Sequence, residues 1–107
     1  MRAGFQGEHG AFAEQAAQRA LPGATAIPLR SFAELFDAAA IGTVDCAVAP
    51  IENTLAGSII QNYDLLLTHD LVIVAEVVLR VVHNLIAPAG VTVTQVRRVY
   101  SQAPALA

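Results

Sequence analysis

Apolar positions in the first half of the chain fall alternately into short blocks and into helical spacings. The blocks at residues 2–5, 25–29 and 44–51 are short and mostly apolar, as buried strands are. Between them, residues 12–20 and 32–40 carry apolar side chains three or four positions apart, which is typical of one helix face. Strands that alternate with helices predict a parallel sheet, because parallel strands need crossover connections. We therefore expect an α/β fold.

Cap residues mark both ends of the second predicted helix. Ser31 and Glu34 have the spacing of a capping box, in which each side chain bonds the backbone amide of the other residue. An N-cap of this kind contributes about 1 kcal/mol to stability. Gly42 follows the helix, and glycine is the usual residue just after a helix end.

The second half of the chain is divided less clearly. Gly57 and Ser58 predict the start of a third helix that ends at residues 68–70. The side chains expected to face inward on this helix are Ile59, Tyr63, Leu66 and Leu67. Residues 71–82 are so rich in valine that β-branching favours one long strand, although the polar residues in this segment have helical spacing. A turn at 87–90 follows.

Composition and charge favour a small globular domain and argue against nucleic-acid and membrane partners. The 107 residues are 55% hydrophobic and 14% charged, which suits one small globular domain. The net charge is −3 and six Lys and Arg residues form no basic stripe, so nucleic acid is not an expected partner. Residues 1–7 lack a signal-peptide core, and Glu76, Arg80 and His83 interrupt the most apolar segment. We expect a cytoplasmic protein without membrane contact.

Cysteine and histidine residues do not predict a metal site. Cys46 is the single cysteine and lies in an apolar block, so we interpret it as a core thiol. His9, His69 and His83 have no ligand partner at helical spacing. We expect no bound metal.

Three glycines, at positions 4, 7 and 10, lie in the first predicted strand and in the turn that follows it. They lack the G-x-G-x-x-G spacing and no acidic residue ends the second strand, so NAD binding is not expected. Gly7 and Gly10 can instead form a tight turn that aims the helix amides of residues 11–13 at an anion. Two turn glycines without any ligand explain the pattern equally well.

Three polar side chains, Glu52, Asn53 and Thr54, directly follow the apolar block at 44–51. In open parallel sheets ligands bind at the carboxyl ends of strands, so these residues are candidates for substrate contact. Glu52 can serve as a general acid or base or as a helix cap, and Asn53 can hold a carboxylate or occupy a turn. Ser101 is either a helix N-cap or a hydroxyl that faces a ligand. From the residues alone, the chain is a small-molecule-binding α/β module for an anion.

Several segments resemble, in order, the prephenate dehydratase domain. The most specific is Pro-Ile-Glu-Asn-Thr-Leu-Ala-Gly-Ser at residues 50–58, and the resemblance covers essentially the whole chain. The other matching segments are residues 7–12, 31–32, 35–36, 64–66 and 99–102. The resemblance implies the conversion of prephenate to phenylpyruvate, with loss of water and carbon dioxide, in phenylalanine biosynthesis. No cofactor is implied.

The same resemblance implies a two-lobed fold like that of type II periplasmic binding proteins, with substrate between the lobes. Residues 1–75 would form most of the first lobe, and residues 76–107 would begin a truncated second lobe. A regulatory ACT domain would follow the catalytic domain. We expect the full-length protein to be a homo-oligomer, a dimer or a tetramer.

Site roles are also implied by the resemblance. Asn53 and Thr54 would donate hydrogen bonds to prephenate, and Glu52 would orient their loop. The full set of implied substrate-binding residues is Glu52, Asn53, Thr54, Gly7, Gly10 and Ser101. The family's Thr-Arg-Phe motif, which supplies the expected proton donor and carboxylate clamp, would lie beyond Ala107. No catalytic residue is therefore expected within these 107 residues, and we expect them to be inactive alone.

Two other functions stay open. One is a non-catalytic binding module with the same lobe architecture, favoured by the lack of an acid within the chain. The other is arogenate dehydratase, whose substrate has an amino group in place of the keto oxygen of prephenate. A downstream Thr-Arg-Phe triplet would favour an enzyme over a binding module.

Overall fold

The computed structural model describes residues 1–54, 57–101 and 106. In chain order its elements are β1 (Arg2–Gln6), α1 (Phe12–Ala20), β2 (Thr25–Leu29), α2 (Phe32–Ile41), β3 (Cys46–Val48), β4 (Glu52–Asn53), β5 (Gly57–Ser58), α3 (Ile60–Thr68) and a 3₁₀ helix (Val93–Gln95). The first five elements alternate between strand and helix as predicted. None of the helices within the described ranges is long and apolar enough to cross a membrane.

The strands β1, β2 and β3 form a parallel sheet with β1 in the middle. β1 pairs with β2 along its whole length, and residues 3–5 of β1 pair with β3. The predicted α/β fold with a parallel sheet is therefore confirmed. β3 is shorter than the predicted strand at 44–51, because only residues 46–48 pair with β1 and Pro50 has no amide to donate to a ladder.

The core lies where α2 packs on the sheet. Leu35 of α2 is fully buried, as are Phe5 of β1 and Val44. A Cβ atom at Gly4 would lie 2.9 Å from Leu35 Cδ1, which is closer than carbon atoms approach. Glycine at the centre of β1 therefore allows the close packing of α2. Cys46, predicted to be a core thiol, is half-buried.

The cap residues of α2 act largely as predicted. The amide of Glu34 donates to Ser31 Oγ at 3.1 Å, which is the first half of the predicted capping box. Gly42 ends the helix in the left-handed conformation, with a φ of 86°. A residue with a side chain would be strained at that φ, which explains why glycine occupies this position.

The third helix begins later than predicted. Gly57 and Ser58 form the short strand β5 rather than the first turn of the helix, and α3 begins at Ile60. The predicted inward position of Leu67 is wrong, because this side chain is 86% exposed. The predicted end of the helix at residues 68–70 is confirmed, since α3 ends at Thr68.

Residues 71–82 do not form the predicted long strand. The described chain between α3 and the 3₁₀ helix contains neither strand nor helix. Valine-rich composition favours extended backbone, but a strand also needs a neighbour for its amides and carbonyls. Val72, Val74 and Val78 are each more than four-fifths exposed. One contact to the folded part is a hydrogen bond of 3.3 Å from Arg19 Nη1 in α1 to the carbonyl oxygen of Val78.

The last described segment contains a turn and a short helix. The amide of Val91 donates to the carbonyl of Pro88 at 3.2 Å, so the turn predicted at 87–90 is confirmed. The 3₁₀ helix Val93–Gln95 follows. Ser101 is exposed, and the helix that it would cap falls largely on positions 102–105 and 107, which lie outside the described residues.

An ion pair joins the end of α3 to α2. His69 Nε2 lies 2.7 Å from Asp37 Oδ1, and His69 Nδ1 lies 2.9 Å from the carbonyl oxygen of Leu65. The imidazole also packs against the ring of Phe36, with centroids 5.6 Å apart. Hydrogen bonds first to Asp37 and then to Leu65 raise the pKa of His69, because both partners favour the protonated ring.

We predict that the contribution of this pair to stability declines as the pH rises. A group with a raised pKa in the folded state stabilises the fold fully below its unfolded value, about 6.5 for histidine, and no longer does so above the folded value. Thermal melting at a series of pH values should show this decline, and Asp37→Asn should make it smaller. An equal pH dependence in Asp37→Asn would contradict the assignment.

Candidate functional site

The predicted polar residues Glu52, Asn53 and Thr54, here called the polar tip, follow the sheet on a small hairpin. Strand β4 pairs antiparallel with β5, placing Glu52 opposite Ser58 and Asn53 opposite Gly57. All three side chains of the polar tip are exposed. The hairpin presents them to solvent just beyond β3, so they are accessible to a ligand and contribute little to the core.

The Glu52 carboxylate is held by hydroxyl groups. Tyr63 OH donates to Glu52 Oε1 at 3.3 Å, and Ser58 Oγ donates to the same oxygen at 3.5 Å. Loss of solvent around the phenol, and then the nearby Glu52 carboxylate, raise the pKa of Tyr63. Tyr63 therefore stays protonated and can act as a donor to Glu52 at neutral pH.

The first residues of α3 also hold the chain that leads into the polar tip. Asn62 is fully buried, and its Nδ2 donates to the carbonyl oxygen of Pro50 at 2.7 Å. The amide of Ile59 donates to the carbonyl oxygen of Ile51 at 2.7 Å. Two consecutive carbonyl groups before Glu52 are thus bonded to the start of α3.

Sequence reasoning missed these roles of Asn62 and Tyr63. Tyr63 was expected to be an inward-facing apolar residue, but it is 40% exposed and its hydroxyl reaches Glu52. Asn62 lies three residues after Ile59 and four before Leu66, so it shares their helix face. An amide at an apolar position of a helix is the signal that identifies it.

The glycine turn after β1 has the expected backbone but is already bonded to an acidic side chain. Gly7 and Gly10 have φ values of 126° and 94°, which favour glycine. The amide of Gly10 donates to Glu14 Oε1 at 3.1 Å, and the other carboxylate oxygen of Glu14 contacts His9 Nδ1. Hydrogen bonds from His9 and then Gly10 lower the pKa of Glu14. A carboxylate of the protein itself therefore lies at the start of α1.

The polar tip lines a large open hollow of about 1960 Å³. Gln6 and Phe12, from the carboxyl end of β1 and the start of α1, line the same hollow, together with much of the segment 70–83. Charged groups along it include Glu76 and Arg80. The structure thus brings Glu52, Asn53 and Thr54 together at the carboxyl edge of the sheet, where ligands bind in open α/β folds.

Ser101 belongs to a different hollow. It lines a second hollow of about 1010 Å³ with Tyr100 and residues 82–88. Phe12 and His83 line both hollows. Gly7 and Gly10 line neither, although the neighbouring Ala11 lines the larger one. The six predicted site residues are therefore not all brought together in this structure.

The described residues contain no group of three or more His, Cys, Asp or Glu side chains placed to hold a metal ion. The acidic groups at the larger hollow are Asp45, Glu52, Asp70 and Glu76. What the arrangement offers chemically is a set of hydrogen-bonding side chains at the polar tip and one cation, Arg80, along the same hollow. The acidic side chains among these lining residues outnumber this cation, so the charge of the hollow does not itself favour an anion, and the polar tip offers hydrogen bonds to a small polar ligand.

We predict that the Glu52 carboxylate contributes to the raised pKa of Tyr63. Glu52→Gln should lower the pKa of Tyr63 part of the way toward its ordinary value of about 10, because the carboxylate is one of two causes of the shift and solvent exclusion remains. A Tyr100→Phe background leaves Tyr63 as the only tyrosine among the 107 residues. Alkaline titration of phenolate absorbance measures the pKa. Glu34→Gln serves as a distant control, and an unchanged pKa in Glu52→Gln would contradict the contact.

Relatives of known identity cover the whole chain. Arogenate dehydratase/prephenate dehydratase 2, chloroplastic, from Arabidopsis thaliana is 50% identical over 107 residues, which is 100% of this chain and 28% of that protein. Arogenate dehydratase 2 from Petunia hybrida is 48% identical over 107 residues, again 100% of this chain and 27% of that protein. The chain thus spans little more than a quarter of the length of these relatives.

A solved structure and a family model agree with these relatives. The X-ray structure of prephenate dehydratase from Streptococcus mutans superposes with a TM-score of 0.59 at 31% identity, over 63% of this chain and 35% of that one. The prephenate dehydratase family model matches residues 3–107. Because that match spans nearly every residue, the chain belongs to the prephenate dehydratase family.

Proposed function

We propose that this chain forms the first part of the catalytic domain of a prephenate dehydratase. The observation that carries the proposal is the exposed polar tip, residues 52–54, at the carboxyl edge of the parallel sheet beside a large hollow. Residues 1–75 would be most of a first lobe and residues 76–107 the beginning of a second. The substrate would lie between two such lobes, as in type II periplasmic binding proteins.

The reaction requires that the protein position prephenate and supply one proton to the departing oxygen. Prephenate carries two carboxylates and a ring hydroxyl. The ring C–O bond breaks as the oxygen takes up a proton and leaves as water, while the C–C bond to the ring carboxylate breaks and releases carbon dioxide. The electron pair from that C–C bond completes the aromatic ring, which drives the reaction. The protein must hold the dianion and supply an acid near the departing oxygen.

The contacts around Glu52 favour an orienting role for this residue. Its carboxylate oxygen accepts hydrogen bonds from Tyr63 and Ser58, so it behaves as an acceptor within the hairpin rather than as a proton donor. Asn53 and Thr54 would then donate hydrogen bonds to the substrate. The proton donor and the main carboxylate clamp would be the threonine and arginine of a Thr-Arg-Phe motif outside these 107 residues.

Gly7, Gly10 and Ser101 would have supporting roles. Gly7 and Gly10 would shape the edge of the cleft through the turn after β1 and not through their amides alone, since Glu14 already bonds the amide of Gly10. Ser101 would face the cleft from the second lobe. A cytoplasmic location and a homo-oligomeric state remain predictions, and the Arabidopsis relative is named as a chloroplastic protein.

A second candidate substrate is arogenate. The relatives from Arabidopsis and Petunia carry arogenate dehydratase in their names. Arogenate differs from prephenate by an amino group in place of the side-chain keto oxygen, so the ring chemistry is the same. Discrimination between the two would depend on groups that contact the side chain.

We predict that a full-length protein carrying this sequence converts prephenate to phenylpyruvate. Phenylpyruvate absorbance gives the rate with prephenate, and phenylalanine formation gives it with arogenate. Competition between the two substrates gives the ratio of their kcat/KM values, which decides the preference. Residues 1–107 alone should be inactive. A full-length protein that binds prephenate without turnover would instead be a binding module.

We also predict that Asn53→Ala in the full-length protein lowers turnover of prephenate about tenfold or more, as the loss of a substrate hydrogen bond does. Asn53 is exposed, so the melting temperature should change little. Steady-state kinetics and thermal melting measure the two effects. Lower thermal stability with unchanged specific activity would show that Asn53 serves the turn only.

A further inference from the structure

Asn62 is the one buried polar side chain among the residues that the structure describes. It lies in the first turn of α3, and its exposure is 0%. An amide at such a position has lost its contacts with water, so its hydrogen bonds within the protein determine whether it is tolerated. The hydrogen bonds of Asn62 therefore indicate its role.

Asn62 makes a short hydrogen bond to the segment that leads into the polar tip. Nδ2 lies 2.7 Å from the carbonyl oxygen of Pro50, which can only accept, so this atom is the donor nitrogen of the amide. Pro50 stands two residues before Glu52, at the point where the chain leaves β3 for the hairpin. The neighbouring bond from the Ile59 amide to Ile51 oxygen holds the next carbonyl. Together they set the direction in which the chain enters the polar tip.

The fold has little need of this amide for stability. Pro50 is exposed and its hydrogen bond with Asn62 is only partly buried, so we expect the loss of this one bond to cost little stability. Asn62 Oδ1 has no hydrogen-bond partner among the described residues, and an unpaired buried acceptor disfavours folding. Leucine, of similar size, would fill the same space without an unpaired oxygen.

We propose that Asn62 is a positioning residue, whose amide fixes the Pro50 carbonyl and thereby places Asn53 and Thr54 for contact with the substrate. The proposal rests on the proposed dehydratase function. Tyr63, the next residue in α3, assists by donating a hydrogen bond to the Glu52 carboxylate. The start of α3 thus holds the hairpin through its backbone and through a side chain.

The test compares three variants of the full-length protein. Asn62→Leu should lower kcat for prephenate about tenfold, since small displacements of positioning groups have effects of this size. Its melting temperature should equal or exceed that of the wild type. Gln61→Leu makes a similar amide-to-leucine change at the adjacent exposed position and should leave kcat unchanged.

The pH dependence of kcat distinguishes a positioning role of Asn62 from a packing role. Asn62→Asp has the same shape, but its carboxylate cannot donate to Pro50, whereas its protonated form can. Its kcat relative to wild type should therefore rise as the pH falls, with a midpoint above the ordinary aspartate pKa of about 4 because the group is buried. Asn62→Leu should show no such recovery. Wild-type kcat in Asn62→Leu, or a loss matched by the loss of folded protein, would overturn the proposal.

Amide hydrogen exchange measures the hold of Asn62 on the hairpin independently of prephenate turnover. Asn62→Leu should speed exchange of the Ile59 amide, which is bonded to Ile51, about tenfold, while the amides later in α3 keep their protection. If the wild type produced no phenylpyruvate, the proposed function would fail, but this measurement would still decide whether Asn62 holds the hairpin. Unchanged exchange at Ile59 would show that it does not.

Discussion

The close approach of α2 to the centre of the sheet is the constraint on which the rest of the structure depends. β1 has strands on both sides, so its position is determined by backbone hydrogen bonds in both directions. At its centre Gly4 leaves room for Leu35, and a Cβ atom there would clash with the end of the Leu35 side chain. Since β1, β2 and β3 are parallel, their carboxyl ends lie at the same edge of this sheet. The polar tip follows the last of these strands.

The site depends on a second layer of contacts that begins in α3. β4 and β5 are only two residues long, and a hairpin of that size is not stable by itself. Bonds from Ile59 and Asn62 to consecutive carbonyls, and from Tyr63 to Glu52, connect the hairpin to the helix. The exposed residues of the polar tip can therefore keep a defined geometry while contributing little to the core.

Residues 71–82 show how far composition can mislead. Their valines favour a strand, yet the described chain provides no neighbouring strand for them, and several of these side chains are largely exposed. Apolar patches of this kind usually mark a surface that contacts another part of a protein. β-propensity describes the fit of a side chain to a sheet surface, so it cannot create a strand where no neighbouring strand exists.

The sequence by itself determined the local features: the alternation of strands and helices, the Ser31 cap and Gly42 end of α2, and the family, through residues 50–58. Each depends on neighbouring residues or on a contiguous pattern, which a single sequence contains. Only the tertiary structure decided that Asn62 bonds Pro50, that Tyr63 bonds Glu52, and that Ser101 lies in a separate hollow from the polar tip. These contacts join residues that are distant in sequence, and their geometry follows from how α3 packs against α2 rather than from any local preference.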